Sequence, residues 1–276
     1  MKNKKIGIIG CGNMGEALIN QAKSAKRKAQ NFIFSEKDKK RIEFIEKKYN
    51  LAGFRDNKEL LKQADVIILA VKPQDINNIL SEIRNSKLEI KKKIFISIVA
   101  GITTKHIEDM IGIEPRVIRV MPNLPCTIKK GVSAVCLGSY AKETDFKIAE
   151  KIFSNIGVVV KVSEDKINAI TAVSGSGPAY FYYFIEALFE GALELGLGVD
   201  LAGQLILETA AGSIELLKER RECPKDLRKK ITSKSGTTEA AISILNINEV
   251  KDTIKNALLL AKKRAEILSE LISLAH

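Results

Sequence analysis

A glycine-rich turn, Gly10-Cys-Gly-Asn-Met-Gly15, stands between a short apolar run (residues 5–9) and a run of helical character (residues 16–22). That context constrains the fold more than the glycines do. A buried strand, a tight Gly-x-Gly-x-x-Gly turn and an amphipathic helix make the opening βα unit of a parallel sheet that binds a dinucleotide. Gly10 permits the tight turn, Gly12 lets a pyrophosphate approach the backbone, and Gly15 lets the helix pack on the sheet. Cys11, Asn13 and Met14 complete the turn, whose free N–H groups and helix dipole suit an anion. An ordinary Gly-rich connection is the plainer alternative.

Alternating strand and helix signals continue through the first 160 residues. Strands are predicted at 5–10, 31–35, 66–71, 94–99, 116–121, 132–137 and 157–162, and several are Val/Ile runs without polar alternation, as in strands buried on both faces. Helices are predicted between them at 14–28, 38–49, 57–63, 73–85, 103–110 and 143–155. This is the pattern of a doubly wound, Rossmann-type α/β sheet. Beyond about residue 165 the strand signal stops. Helices are predicted at 166–173, 178–196, 200–221, 224–231, 237–245 and 249–273, with Asp200 as an N-cap and Pro178 at a first helical position. The chain therefore divides into a dinucleotide-binding domain (1–163) and an all-α domain (164–276). In the last helix Ile254, Leu258, Ala261, Ala265, Leu268 and Ile272 form a seam of period about 3.5. That seam and the Ala/Leu-rich helix 178–196 suit either internal packing or an interface between two copies of the chain.

Composition removes several classes of function. The apolar runs are too short to cross a bilayer, and the basic start lacks the apolar core of a secretory signal, so the expected location is the cytoplasm. Four cysteines without C-x-x-C spacing favour neither a disulfide framework nor a metal site. His106 and His276 are the only histidines, and His106 reads as a solvated residue opening a surface helix. The net charge of +12 comes with only 5% aromatics and no basic helix interleaved with stacking residues, so nucleic acid is not the expected partner. A basic nucleotide domain does attract anionic cofactors and substrates.

Further candidate residues fall at strand ends, where α/β proteins bind ligands. Glu36 lies about 20 residues beyond Gly15, where an acidic side chain accepts from a ribose 2′-OH and repels a 2′-phosphate. Ser35, Lys37, Lys39, Lys40 and Arg41 crowd the same turn and favour that phosphate. The balance leans slightly to NADH over NADPH. Ala70-Val71-Lys72-Pro73, Ala100-Gly101 and the rigid Met121-Pro-Asn123 loop close later strands, where the small Ala100-Gly101 turn lets a nicotinamide come close. Two hydroxyl-rich segments, Thr171–Tyr180 and Ile231–Thr238, stand at predicted helix starts; alone, each reads as an N-capping device.

Taken together these motifs resemble the pyrroline-5-carboxylate reductase family. The Gly10–Gly15 turn, Ala70-Val-Lys-Pro-Gln74, Arg119-Val-Met-Pro-Asn123, Ala172-Val-Ser-Gly-Ser-Gly-Pro-Ala-Tyr180 and the Thr232–Thr238 loop occur in the family's order along essentially the whole chain. The resemblance implies reduction of (S)-1-pyrroline-5-carboxylate to L-proline by NADPH or NADH. It implies a homodimer formed through the C-terminal helices, with larger assemblies of such dimers common in the family. It assigns Ala70, Val71, Lys72, Pro73, Asn57 and Glu164 to the cofactor. It assigns the substrate to the Ser233, Gly236 and Thr237 region, with Met121 and Asn123 beside it, and places Thr238 near the substrate nitrogen. No metal is implied. One motif departs from the family: Lys234 and Ser235 replace the usual Pro and first Gly, and Ala241 a later Gly. A positive φ at Ser235 would carry strain of about 1 kcal/mol.

The rivals are a related imine or 3-hydroxyacid dehydrogenase on the same fold and a non-catalytic nucleotide-binding regulator. The hydroxyacid enzymes use a lysine on the first long helix of the second domain, and Tyr180–Glu190 holds none.

Overall fold

The computed structural model describes residues 4–24, 31–86 and 88–274. The end of the first predicted helix (25–28) and His276 lie outside the described residues. Eight strands, β1 (Ile6–Ile9), β2 (Phe32–Ser35), β3 (Gly53–Phe54), β4 (Val66–Leu69), β5 (Ile94–Ser97), β6 (Arg116–Met121), β7 (Gly131–Leu137) and β8 (Gly157–Lys161), form one sheet ordered β3-β2-β1-β4-β5-β6-β7-β8. The strands from β1 to β6 pair in parallel, β7 runs antiparallel to β6, and β8 is parallel to β7. Interleaved with them are α1 (Asn13–Ser24), α2 (Lys39–Tyr49), α3 (Asn57–Gln63), α4 (Ile76–Asn85), α5 (Thr104–Ile111) and α6 (Glu143–Phe153).

The unbroken apolar strands are explained by two cores, one on each face. Alternate residues of a strand point to opposite faces. Ile8, Phe34, Ile68 and Ile96 join Leu18, Ile45 and Phe153 in one core. Ile9, Ile33, Ile67 and Phe95 join Leu60, Leu80 and Ile107 in the other. Each such side chain contributes roughly 1.5–3 kcal/mol when fully buried. The register then sets the site. Ile9 sits beside Ser35 and Leu69, Leu69 beside Ser97, and Ser97 beside Arg119. The carboxyl ends of four strands (β2, β1, β4 and β5) are therefore level, β6 runs two residues further to Met121, and the strand order reverses between β1 and β4, where such sheets bind ligands.

Several local expectations change. The two-residue β3 has no β-branched run to announce it; its Gly53 N–H is held by the Glu46 carboxylate at 3.0 Å. Pro73 opens a short 3₁₀ turn, and α4 begins only at Ile76. His106 is not solvated. Thr103 caps α5 and turns His106 inward, where it is 6% exposed and its Nε2 meets Asn77 Oδ1 at 2.9 Å.

The chain forms two compact units. The first holds residues up to Ser176 together with those from Ala261; the second is Gly177–Leu260. The four-residue α7 (Ile167–Ile170) and the π-helical turn after it (Thr171–Gly175) stay with the sheet, because Ile167 and Ile170 pack with Ala134, Cys136 and Met121. At the other end Ile272 packs on the sheet's second core, against Gly101.

The second unit is built from α8 (Gly177–Glu194), α9 (Val199–Arg220), α10 (Pro224–Lys230), α11 (Thr237–Ile247) and the first part of α12 (Val250–Leu274). Gly198, not Asp200, is the N-cap of α9; Asp200 sits in its first turn. Among the described residues the long helices bury almost nothing: Gly177 and Ala192 on α8, Ala202 on α9, none on α11. Phe181, Tyr183, Leu205, Leu207, Ile247 and Leu260 are all exposed. Apolar exposure on this scale marks a protein-protein interface. No helix among the described residues is long and apolar enough to cross a membrane.

Candidate active site

A cleft of about 310 Å³ opens at the carboxyl ends of β1, β2 and β4. Of the residues expected at the cofactor, Gly10, Gly12, Ser35, Glu36, Asn57, Ala70, Val71 and Lys72 line it, joined by Ile9, Lys37, Asp75 and Ile79. Gly10 has φ +90 and would press a Cβ within 2.8 Å of the Ala70 carbonyl. Gly12 is exposed, and a Cβ there would meet no atom within 4 Å. The turn is thus closed on the protein side and open on the cleft side, a cradle that fits a pyrophosphate.

The remaining expected residues stand elsewhere. Gly15 lies behind the turn, where a Cβ would fall 2.5 Å from the Gly10 carbonyl oxygen. Met14 packs on the first core, and Asn13 is exposed at the start of α1. Cys11 is fully buried; burial first, and the Glu36 charge second, push its thiol up to about 12. It is not a nucleophile at neutral pH. Pro73 shapes the turn after Lys72. Gly101, with φ +79, backs onto Leu268 and Ile272, beside the exposed Ala100.

Glu36 is less free than its position suggested. Its carboxylate accepts from the Cys11 N–H (2.8 Å) and the Lys37 N–H (2.7 Å). The Lys37 ammonium reaches across the cleft to Asp75 at 3.2 Å. Asn57 is oriented by two partners, accepting from the Ser35 hydroxyl and donating to Glu82, each at 2.7 Å. Arg41 turns away from the cleft toward the Cys11 carbonyl and Glu16. Burial raises the Glu16 pKa, but hydrogen bonds from Lys48, Tyr49 and Arg41 outweigh it and hold the carboxyl at about 2.

Glu164 does not line this cleft. It accepts from the Thr104 N–H at 2.8 Å and from the Thr104 hydroxyl at 2.5 Å, at the positive end of α5, and it pairs with the buried Arg119 at 3.2 Å.

Nearby, Asn123 accepts from the Val132 N–H at 2.9 Å and faces the Ser174 hydroxyl at 3.4 Å. A Cβ on Gly175 would lie 2.6 Å from Met121 Cε. The Ser174-Gly175 turn and the Met121–Asn123 loop, more than fifty residues apart, thus meet. Ser174 was not singled out by the sequence, although its Ser-Gly-Ser-Gly-Pro run was the available signal.

Within the second unit, Ser233, Gly236, Thr237 and Thr238 form the entry to α11, with Gly236 at its N-cap. The N–H groups of a first helical turn lack intrahelical partners and suit a carboxylate. Ser235 adopts φ +59, the left-handed conformation that glycine takes without cost, and its N–H is held by the Glu239 carboxylate at 2.6 Å. The strain anticipated from the Lys234-Ser235 departure is therefore present. Ser235→Gly should stabilise the protein by about 1 kcal/mol, raising the thermal midpoint by a few degrees. A midpoint that stays put or falls would show a relaxed loop.

The chain is similar to known proteins along nearly its whole length. A profile for pyrroline-5-carboxylate reductase dimerisation matches residues 164–268, and one for NADP oxidoreductase coenzyme F420-dependent matches residues 5–101. Pyrroline-5-carboxylate reductase 2 of Bacillus subtilis is 36% identical over 267 residues, 96% of this chain and 95% of that one. The solved pyrroline-5-carboxylate reductase of Coxiella burnetii is 32% identical, with a TM-score of 0.88 over 97% of this chain and 99% of its own. The Plasmodium falciparum pyrroline carboxylate reductase, solved with NADP bound, gives 32% and 0.88 over 98% and 99%.

Proposed function

The chain belongs to the pyrroline-5-carboxylate reductase family, and from that premise we infer that it reduces (S)-1-pyrroline-5-carboxylate to L-proline. It is an NAD(P)H-dependent oxidoreductase with a dimerisation domain. The observation that carries the reading is the cleft at the β1/β4 reversal, closed behind Gly10 and open above Gly12.

The coenzyme, once bound, supplies the hydride that reduces the imine carbon. Residues 1–163 hold it. Gly10–Gly15 take the pyrophosphate. Ser35, Glu36 and Asn57 take the adenosine ribose. Ala70–Pro73 and Ala100-Gly101 line the path toward the nicotinamide. Glu164 steadies that end through Arg119 and Thr104. NADPH is the proposed coenzyme. The lean toward NADH rested on Glu36 as acceptor for the ribose 2′-OH, and that carboxylate already accepts from the Cys11, Lys37 and Asp38 N–H groups. The Plasmodium falciparum relative was solved with NADP bound.

Residues 164–268, matched by the dimerisation profile, include the substrate loop that enters α11. Gly236 and Thr237 offer N–H groups to the substrate carboxylate, with Ser233 beside them. Thr238 hydrogen-bonds the ring nitrogen and orients it; a hydroxyl is too weak an acid to be the main proton source. The working form is a cytoplasmic homodimer, which can build larger assemblies.

Incubation of the protein with pyrroline-5-carboxylate and NADPH or NADH should yield proline, faster with NADPH. No proline with either coenzyme defeats the reading. Thr238→Val should lower kcat about 10- to 100-fold, a range typical of one lost hydrogen bond to a reacting group, and leave the coenzyme KM unchanged. Unaltered turnover would remove Thr238 from the mechanism.

A further inference from the structure

Arg41 stands in the first turn of α2, beside the turn where a 2′-phosphate would be read, yet its guanidinium is committed elsewhere. Its Nε donates to the Cys11 carbonyl at 2.8 Å, and its Nη2 donates to Glu16 at 2.5 Å, in the first turn of α1. Arg41 and Glu16 are both largely shielded, their side chains 26% and 19% exposed. On the other side of the same residue, the Cys11 N–H is held by Glu36. Both peptide groups that flank Cys11 are thus fixed by side chains from the β2-α2 segment.

A trans peptide points its C=O and N–H in opposite directions, and the chain has no cis bond among its described residues. With the Cys11 carbonyl drawn to Arg41, the Gly12 N–H must face away from α2. Gly12 lines the cleft, with open space where a Cβ would stand. We propose that Arg41 is a positioning residue: it holds the Cys11–Gly12 peptide so that the Gly12 N–H is aimed at the coenzyme pyrophosphate. The inference rests on the pyridine-nucleotide reading above. It assigns Arg41 to the part that NADPH and NADH share rather than to the phosphate that distinguishes them.

The test is binding, measured on the full-length protein without pyrroline substrate. NADPH and NADH are titrated by nicotinamide fluorescence, and adenosine 2′-monophosphate, which has the ribose phosphate but no pyrophosphate, by competition. Urea unfolding of each protein is followed alongside. Arg41→Ala should weaken NADPH and NADH by the same factor, about tenfold, as for loss of a charge-assisted hydrogen bond. Adenosine 2′-monophosphate should bind as before, and the urea midpoint should change little because Lys48 and Tyr49 still hold Glu16. Arg41→Lys, able to reach only one of the two partners, should fall between. Weakening confined to NADPH would overturn the proposal and make Arg41 a 2′-phosphate contact. Unchanged affinity for both coenzymes would also overturn it. So would an equal loss for all three ligands with a lowered midpoint, which would show a merely structural role. A parent protein that binds neither coenzyme would instead defeat the reductase reading beneath it.

Discussion

Gly15→Ala protein should melt several degrees below the parent and bind NADPH at least about 100-fold more weakly, whereas Gly12→Ala protein should melt like the parent and lose the coenzyme nearly as completely. The two glycines share one turn but face different surroundings. A Cβ on Gly15 would fall 2.5 Å from the Gly10 carbonyl oxygen, a backbone atom that cannot swing aside. Either α1 lifts from the sheet or the turn opens, and both displace the N–H groups proposed to meet the phosphates. A Cβ on Gly12 meets no protein atom within 4 Å, so folding is indifferent to it. The methyl then occupies the space through which the pyrophosphate is proposed to approach. Calorimetric melting and fluorescence titration of both variants separate the effects. A Gly12→Ala protein that binds normally would place the phosphates elsewhere.

Glu164→Ala should cost roughly 3 kcal/mol, lowering the thermal midpoint by about 6–12 °C. Arg119 is 3% exposed, and its guanidinium is paired with Glu164. Removing the carboxylate strands a buried cation and withdraws the acceptor from the Thr104 N–H and hydroxyl. The figure is taken at the lower end for broken buried pairs because the Glu164 side chain is 28% exposed. Glu164→Gln keeps an acceptor for Thr104 but not the charge, and should lie between. If neither substitution moves the midpoint while the coenzyme KM rises, Glu164 acts on the coenzyme itself.

The middle of the sheet was legible because its strands are buried on both faces, so Val/Ile runs such as Val66–Leu69 announce themselves without alternation. The Gly-rich turn was legible because its neighbours on either side could be read as strand and helix. What escaped is what depends on partners far along the chain. Nothing near Glu36 says that its carboxylate bonds Cys11, and nothing near Arg41 says that it faces α1. His106 looked solvated because a helix start beside lysine reads as surface, yet Thr103 caps the helix and turns the ring toward Asn77. The π-helical turn at Thr171–Gly175 carried a composition signal, but the contact that matters, Gly175 against Met121, is set by the packing of Ile167 and Ile170. Ser235 was the exception. A departure in one loop raised the question of a left-handed backbone there, because only glycine takes that conformation freely, and Ser235 adopts it.

The long helices between Gly177 and Leu260 keep scarcely any side chain dry within one polypeptide. Such a segment draws its free energy of folding from mating, so its integrity follows mass action. On dilution below the dissociation constant, the Ser233–Thr238 segment should lose its shape while the nucleotide-binding sheet, with its own interior, stays intact. Catalysis would then vanish before coenzyme affinity does, and would return with second-order kinetics on reconcentration.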